Sequence, residues 1–299
     1  MSSWEGKTRG GTAGYRIFLF LLNTFGIKAA YGLLYFVASY YVLFAVKARK
    51  PMYYYFNKVL GFSKLKSFRY LFKNNISFGQ TLIDKVALLS DVKNNFTFDF
   101  VGENYLHEMA NNEGGLIISA HIGNWEIAGN LLERINTKVH IVMLDAEHRK
   151  IKALMDNAMT RRSMNIIPIK EDMSHLFSIR EALLANEIVA IHGDRFLPGS
   201  KTMELDFLGK PADFPTGPFY IAMKYKKPVV YVSAVKETVN HYLFNSTAPE
   251  YYQDSRNLNN RNKVLRKMIG NYIKTMEKAI RKHPEQWYNY YYFWNTQNN

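Results

Sequence analysis

The chain reads as an α/β protein: a mostly parallel central sheet flanked by helices, preceded by an N-terminal hydrophobic, membrane-associated helical segment. Three observations predict it. From residue 96 to residue 282, apolar runs of strand length alternate with stretches of helical periodicity, the pattern of repeated βαβ units. Two of those runs, 115–119 and 187–192, end in polar and turn-forming residues, and ligands gather at such strand ends in open α/β sheets. Residues 15–46 are predominantly apolar, unlike the charged chain that follows them.

Taken in order, residues 15–22 form an apolar run, separated by Gly26 and Lys28 from a second run, 29–46, which carries no charge. A bilayer-spanning helix needs about 20 predominantly apolar residues, so the second run is at the lower limit. Its tyrosines and Ser39 weaken it further. Basic residues flank both ends, Lys7, Arg9 and Arg16 before and Lys47, Arg49 and Lys50 after, which gives no orientation signal. Residues 15–60 are therefore expected as a hydrophobic hairpin or tilted helices lying in one leaflet. A single span, or a buried core helix of the main domain, is the alternative. No small-residue cleavage site follows, so a secretory signal is not expected. The division is an anchoring segment, 1–60, and one catalytic-sized domain, 61–299.

Residues 64–90 read as an amphipathic surface helix, 96–100 as a strand and 103–112 as a helix. A strand over 115–120 leads through a turn into a helix over 124–134. Strands follow at 139–144, 166–169, 187–192, 229–235 and 242–245. Helices are expected over 149–164, 173–185 and 256–282, the first and last of them basic. Residues 196–216, punctuated by Pro198-Gly199 and Pro215-Thr216-Gly217-Pro218, read as a long turn-rich loop, and such loops usually serve function.

Composition narrows the chemistry. There is no cysteine, which excludes disulfides, thiolate metal sites and a cysteine nucleophile. A net charge of +14 favours an acidic partner. With 21 Tyr and 20 Phe among the basic residues, a membrane interface fits. No nucleic-acid motif is present, and the aromatics cluster in apolar runs rather than among lysines, so nucleic acid is not an expected partner.

The most informative stretch is Ser119-Ala120-His121-Ile122-Gly123-Asn124-Trp125-Glu126. Histidine titrates near neutrality. A carboxylate on its second ring nitrogen fixes the tautomer and stabilises the imidazolium that forms. Side chains stack on a helix at three or four residues, not five, so His121 belongs in the turn and Glu126 inside the helix, reaching back. Gly123 lets the chain turn tightly. The bland alternative is a helix-capping histidine followed by a solvated first-turn acid. A second constellation, His192-Gly193-Asp194-Arg195, ends another strand. Arg195 offers bidentate hydrogen bonds to a phosphate or carboxylate, or else pairs with a neighbouring acid to order the loop. Arg161 closes the basic helix as a headgroup contact or as a solvated helix end.

His121-Ile122-Gly123-Asn124-Trp125-Glu126 resembles the H-x4-[D/E] block of the lysophospholipid acyltransferase superfamily. It is most similar to the bacterial lipid A late acyltransferases, the lauroyl/myristoyl transferase group. The resemblance continues in order through Gly193-Asp194-Arg195, Phe207-Leu208-Gly209-Lys210-Pro211-Ala212, Thr216-Gly217-Pro218, Lys227-Pro228-Val229-Val230 and His283-Pro284-Glu285-Gln286-Trp287. Where that family's tail carries an arginine pair, this chain has Tyr288-Asn289-Tyr290-Tyr291-Tyr292. The resemblance implies an acyltransferase with His121 and Glu126 as its catalytic dyad and Gly123, Asn124, Arg161, Asp194 and Arg195 about the substrate. Arg195 or backbone N–H groups around Gly123 are the candidate oxyanion donors. It implies no metal or redox cofactor, and acyl carrier protein as donor with acyl-CoA as alternative. The acceptor is a lipid A precursor or similar glycolipid; an amino-acid-based lipid, a lysophospholipid or an aryl polyene pigment is the alternative. The implied location is the cytoplasmic face of the inner membrane. A non-catalytic protein that binds anionic lipid is the competing class.

Overall fold

A computed structural model describes residues 12–89, 94–125, 127, 135, 137–144, 164–255 and 257–295. Helices α1 (Thr12–Phe25), α2 (Ile27–Phe44) and α3 (Val46–Tyr54) open the chain and run through a π-helical turn (Tyr55–Val59) into α4 (Lys64–Leu89). Then come β1 (Thr97–Val101), α5 (Glu103–Asn111), β2 (Gly115–Ser119), β3 (Val139–Leu144), β4 (Met164–Ile169), α6 (His175–Leu184) and β5 (Ile188–His192). The last part holds β6 (Thr202–Phe207), β7 (Lys210–Pro215), α7 (Gly217–Lys224), β8 (Val229–Lys236), β9 (His241–Ser246), α8 (Leu258–Lys282) and a 3-10 turn (Pro284–Gln286).

The central sheet is 7-stranded, in the order β1-β9-β8-β2-β5-β3-β4. Its strand pairs are parallel except β8 with β9. β2 lies between β8 and β5, and Gly115 to Ile118 are all buried, as a strand covered on both faces requires. Successive side chains point to opposite faces. Leu116 and Ile118 join the larger core, built on Tyr231, Met268, Tyr272 and Trp287. Ile117 joins a smaller one with Met109 and Val230. The larger core is closed by α8, whose Leu265, Met268, Ile269, Tyr272, Ile273, Met276 and Ile280 form one helical stripe. Asn257 caps α8 by accepting from the backbone N–H of Asn259 and Asn260, and Arg281 and Lys282 complement its carboxyl end.

Two expectations need correction. Residues 196–216 are largely not a loop: β6 and β7 form an antiparallel hairpin, closed by Leu208 (φ 56) and Gly209 (φ 80). Two successive left-handed residues are what a two-residue hairpin turn requires, and the alternation of Met203, Leu205 and Phe207 was the signal for it. α7 follows directly, started by Pro218 in its first turn, where a missing N–H costs nothing. The 64–90 helix is more than a surface helix. Its Ser67, Leu71, Asn74, Ser77, Thr81 and Asp84 are buried. Asn74 Nδ2 donates to the carbonyls of Glu285 (2.8 Å) and Trp287 (3.1 Å), so α4 carries the C-terminal tail.

The N-terminal helices pack on α4 rather than standing apart. α2 buries Ala30, Tyr31, Leu34 and Ala38 and exposes Tyr35, Phe36, Tyr40, Leu43 and Phe44. By length and composition it is apolar enough to cross a membrane. Much of the helix expected over 124–134 and nearly all of that over 149–164 lie outside the described residues.

Candidate active site

β2 ends at Ser119, the chain turns through residues 120–124, and Trp125 and Ile127 are helical, so His121 occupies the turn, as expected. The turn depends on Gly123. Its φ is +65°, and a Cβ there would stand 1.9 Å from the carbonyl oxygen of Ala234. That closeness lets Asn124 N donate to Ala234 O at 2.7 Å, while Gly123 N donates to Gln286 O at 2.8 Å. Tyr288 N in turn donates to His121 O at 3.0 Å.

Asp194 reaches His121 from the end of β5. β2 and β5 are in register, Ser119 opposite His192, and Gly193 N donates to Ser119 O at 2.9 Å. This brings Asp194 Oδ2 to 3.0 Å from His121 N and Oδ1 to 2.8 Å from His121 Nδ1. Burial alone pushes the Asp194 carboxyl up, but the charge and hydrogen bond of His121 outweigh it, aided by Arg195, and hold it below the usual range. An ionised carboxylate only accepts, so Nδ1 carries the proton and Nε2 is the basic nitrogen. The His121 side chain keeps 15% exposure against 2% for Asp194, so the base is reachable and its partner is sealed.

The His192 ring lies tilted by 35° against that of His121, with centroids 4.2 Å apart, and Trp125 meets His192 edge-on at 4.7 Å. Its Nδ1 pairs with Ser119 Oγ at 2.9 Å. Burial, and then the charge of His121, push its pKa well below the ordinary histidine value, so it stays neutral. Beside this pair opens an apolar cavity of about 1040 Å³, counting its open mouth. His192, Ser119 and Trp125 line it with Ile117, Ala190 and Val232, and the strand residues among them alternate onto one face of the sheet.

A family model for bacterial lipid A biosynthesis acyltransferases matches residues 9–295. The chain belongs to that family. Its members are lipid acyltransferases, and so is this protein; the family is membrane-associated, and this chain carries one apolar helix, α2, long enough to cross a bilayer. Among solved structures, the 1-acyl-sn-glycerophosphate acyltransferase PlsC of Thermotoga maritima matches with a TM-score of 0.38 at 11% identity, covering 82% of this chain and 93% of that one. Comparison with curated protein sequences returned no match.

In this acyltransferase the turn brings His121, Gly123, Asn124, Asp194 and Arg195 together; Glu126 and Arg161 lie outside the described residues. Asn124 is buried. Its Oδ1 accepts from Ile127 N at 3.3 Å, capping the helix, and its Nδ2 faces Thr81 O and Tyr242 Oη. Arg195 Nη2 donates to Tyr288 O at 2.7 Å, which braces the tail behind the turn. The N–H groups of Gly123 and Asn124 are spent on carbonyls, and Arg195 Nη2 is likewise spent on the carbonyl of Tyr288. His192 was within the quoted strand end but was given no role, because adjacency to His121 depends on strand register. His121, His192 and Asp194 can each offer a metal-ligating atom within 4.8 Å of the others, and a hydrogen bond joins His121 Nδ1 to Asp194 Oδ1.

Proposed function

We propose that the protein moves a fatty acyl chain from an acyl carrier protein thioester to a hydroxyl of a lipid A precursor or similar glycolipid. The observation that carries this reading is a histidine backed by a sealed aspartate and packed against a residue that lines an apolar cavity. His121 Nε2 takes the hydroxyl proton, the oxygen attacks the thioester carbon, the C–S bond breaks, and the proton passes to the departing thiolate. General base catalysis of this kind is worth about 10²–10⁴-fold. The apolar cavity holds the acyl chain. Asp194 orients Nδ1, and Glu126 is the second acid of the dyad that the motif supplies. In this reading Arg161 and Arg195 bind the anionic acceptor or the oxyanion.

Residues 1–60 serve as the anchor and 61–299 carry the chemistry at the cytoplasmic face of the inner membrane. The exposed Lys263, Arg266, Lys267, Lys274, Lys278 and Arg281 of α8 suit an acidic carrier protein. The test is purified enzyme with labelled acyl carrier protein thioester, a total lipid extract of the host, and mass spectrometry of the products. Wild type should yield one new acylated lipid, and its mass names the acceptor. His121→Ala, Glu126→Ala and Asp194→Asn should each lower the rate by about 10²-fold or more while remaining folded. Retained turnover in His121→Ala would overturn the mechanism; retained turnover in Glu126→Ala alone would make Asp194 the sole acidic partner. Transfer from acyl-CoA but not from the carrier protein would replace the donor.

A further inference from the structure

A buried ion pair lies outside the His121–Asp194 site. Lys236, at the end of β8, places Nζ 2.5 Å from Asp84 Oδ2 of α4 and 2.6 Å from Tyr31 Oη of α2. The hydroxyls of Tyr31 and Tyr242, the latter on β9, both donate to Asp84. Asp84 is 0% exposed and Lys236 7%. The ammonium also stands 4.8 Å and 5.4 Å from the ring centres of Tyr31 and Tyr242. Apolar side chains of the same volume would hold these elements together as well or better, because a buried pair rarely offsets its own desolvation. Breaking such a pair, by contrast, is severe. The cluster therefore specifies an arrangement.

Its bonds lead to the motif turn by independent routes. Tyr242 Oη meets Asn124 Nδ2 at 3.4 Å, and Asn124 caps the helix that starts beside His121. Lys236 N donates to Gln286 Oε1 at 2.8 Å and Gln286 Nε2 donates to Lys236 O at 2.6 Å, while the Gln286 carbonyl receives Gly123 N at 2.8 Å. Ala234, two residues before Lys236, accepts from Asn124 N at 2.7 Å. At its other end the cluster holds α2 through Tyr31, on the buried side of a helix whose opposite side presents Phe36 and Tyr40.

We propose that Asp84 and Lys236, with Tyr31 and Tyr242, are positioning residues that lock the apolar helix α2 and the His121 turn to one another, so that the seating of α2 sets the placement of the base. The kinetic arm of the test rests on the acyl-transfer reading; the exchange arm does not. Tyr31→Phe and Tyr242→Phe remove one hydroxyl each and keep the ring, so both should fold. Asp84→Leu with Lys236→Met removes the charge pair as a unit. Each variant should lower kcat by about tenfold or more, since small misplacements of reacting groups cost up to about 10²-fold, with KM for the thioester nearly unchanged. Hydrogen exchange in peptides covering residues 115–127 should rise in Tyr31→Phe, a substitution in a different element. Variants with lowered melting temperatures but wild-type kcat and wild-type exchange at the turn would overturn the proposal and leave the cluster merely structural. If the wild type transfers from no donor, the acyl-transfer reading falls, and unchanged exchange at the turn in Tyr31→Phe then overturns this one separately.

Discussion

A base that must become cationic is packed against a second imidazole, and the two rings cannot both carry charge at 4.2 Å. Burial and the His121 charge settle which one does: His192 is held neutral, with Ser119 Oγ on its Nδ1, and the Asp194 carboxylate supports His121 instead. The arrangement has a cost that pH exposes. The folded-state pKa of His192 lies below its unfolded value of 6.5, so between those two values the unfolded chain binds the extra proton and the folded chain does not. Stability should therefore fall as pH drops below about 6.5, by about 1.4 kcal/mol for each unit of that interval. His192→Phe, which keeps a ring in the stack but cannot titrate, should flatten the slope between neutrality and pH 5. Urea titrations at several pH values check this, and an unchanged slope would place the lost protons elsewhere. Asp194 acts in a lower window. Its folded pKa is depressed, so its contribution is present above the ordinary carboxyl value of 3.8 and is lost as pH falls through the folded value.

The turn between β2 and the following helix shows which elements their own residues announce. Gly123 must be left-handed, and its α-carbon faces a backbone oxygen, so the position tolerates no side chain. Gly123→Ala adds a strained φ and forces β8 away from the turn. We expect a loss of about 2 kcal/mol or more in a denaturant melt, with turnover falling in the folded fraction because Asn124 N loses Ala234 O. Wild-type stability would mean that the turn has room. This glycine, and the strands on either side of the site, were readable because local chemistry determines them: β2 and β5 are apolar runs that stop at polar groups. The β6–β7 hairpin was missed because Leu208 takes a left-handed turn position that composition assigns to Gly, Asn or Asp. Its backbone N–H is held by Glu277 Oε1 at 2.6 Å, 69 residues away in sequence, and no local pattern reveals such a contact. The same holds for Asp84 and Lys236. Each reads as an ordinary surface charge, and only tertiary packing makes them a buried pair. Asp194 as the partner of His121 likewise depends on the β2–β5 register, whereas Glu126, five residues away in sequence, was the carboxylate the motif itself offered.

Across the whole molecule, one side of the N-terminal helices exposes apolar and aromatic side chains beside basic ones. Phe36 and Phe44 are 77% and 65% exposed on α2, and Leu65 and Phe68 protrude from the start of α4. Lys47, Lys50, Lys64, Lys66 and Arg69 are exposed nearby. The apolar run alone left three choices open, because spanning, interfacial and core helices share one composition. The packing of α2 supports the interfacial choice. α2 lies along α4, with Gly79 admitting Leu34 and Asp84 bonded to Tyr31. A spanning α2 would draw the charges of α4 toward the bilayer centre, at about 2.5–3.5 kcal/mol each, or would abandon Asp84 and Lys236 to each other without Tyr31. An interfacial α2 keeps every one of these contacts and leaves the basic residues at headgroup depth, the geometry of an amphipathic anchor. The protein should therefore float with anionic vesicles, bind them less as salt rises, and leave the membrane in an alkaline carbonate wash. Phe36→Asp with Phe44→Asp removes two aromatic contacts worth about 1.5–3 kcal/mol each when fully buried, so partitioning should drop by about 10²-fold with the melting temperature little changed. Retention through the carbonate wash would mean that α2 crosses the bilayer and that its contact with α4 opens in the membrane, and the lock between Tyr31 and the His121 turn would then have to release when the enzyme inserts.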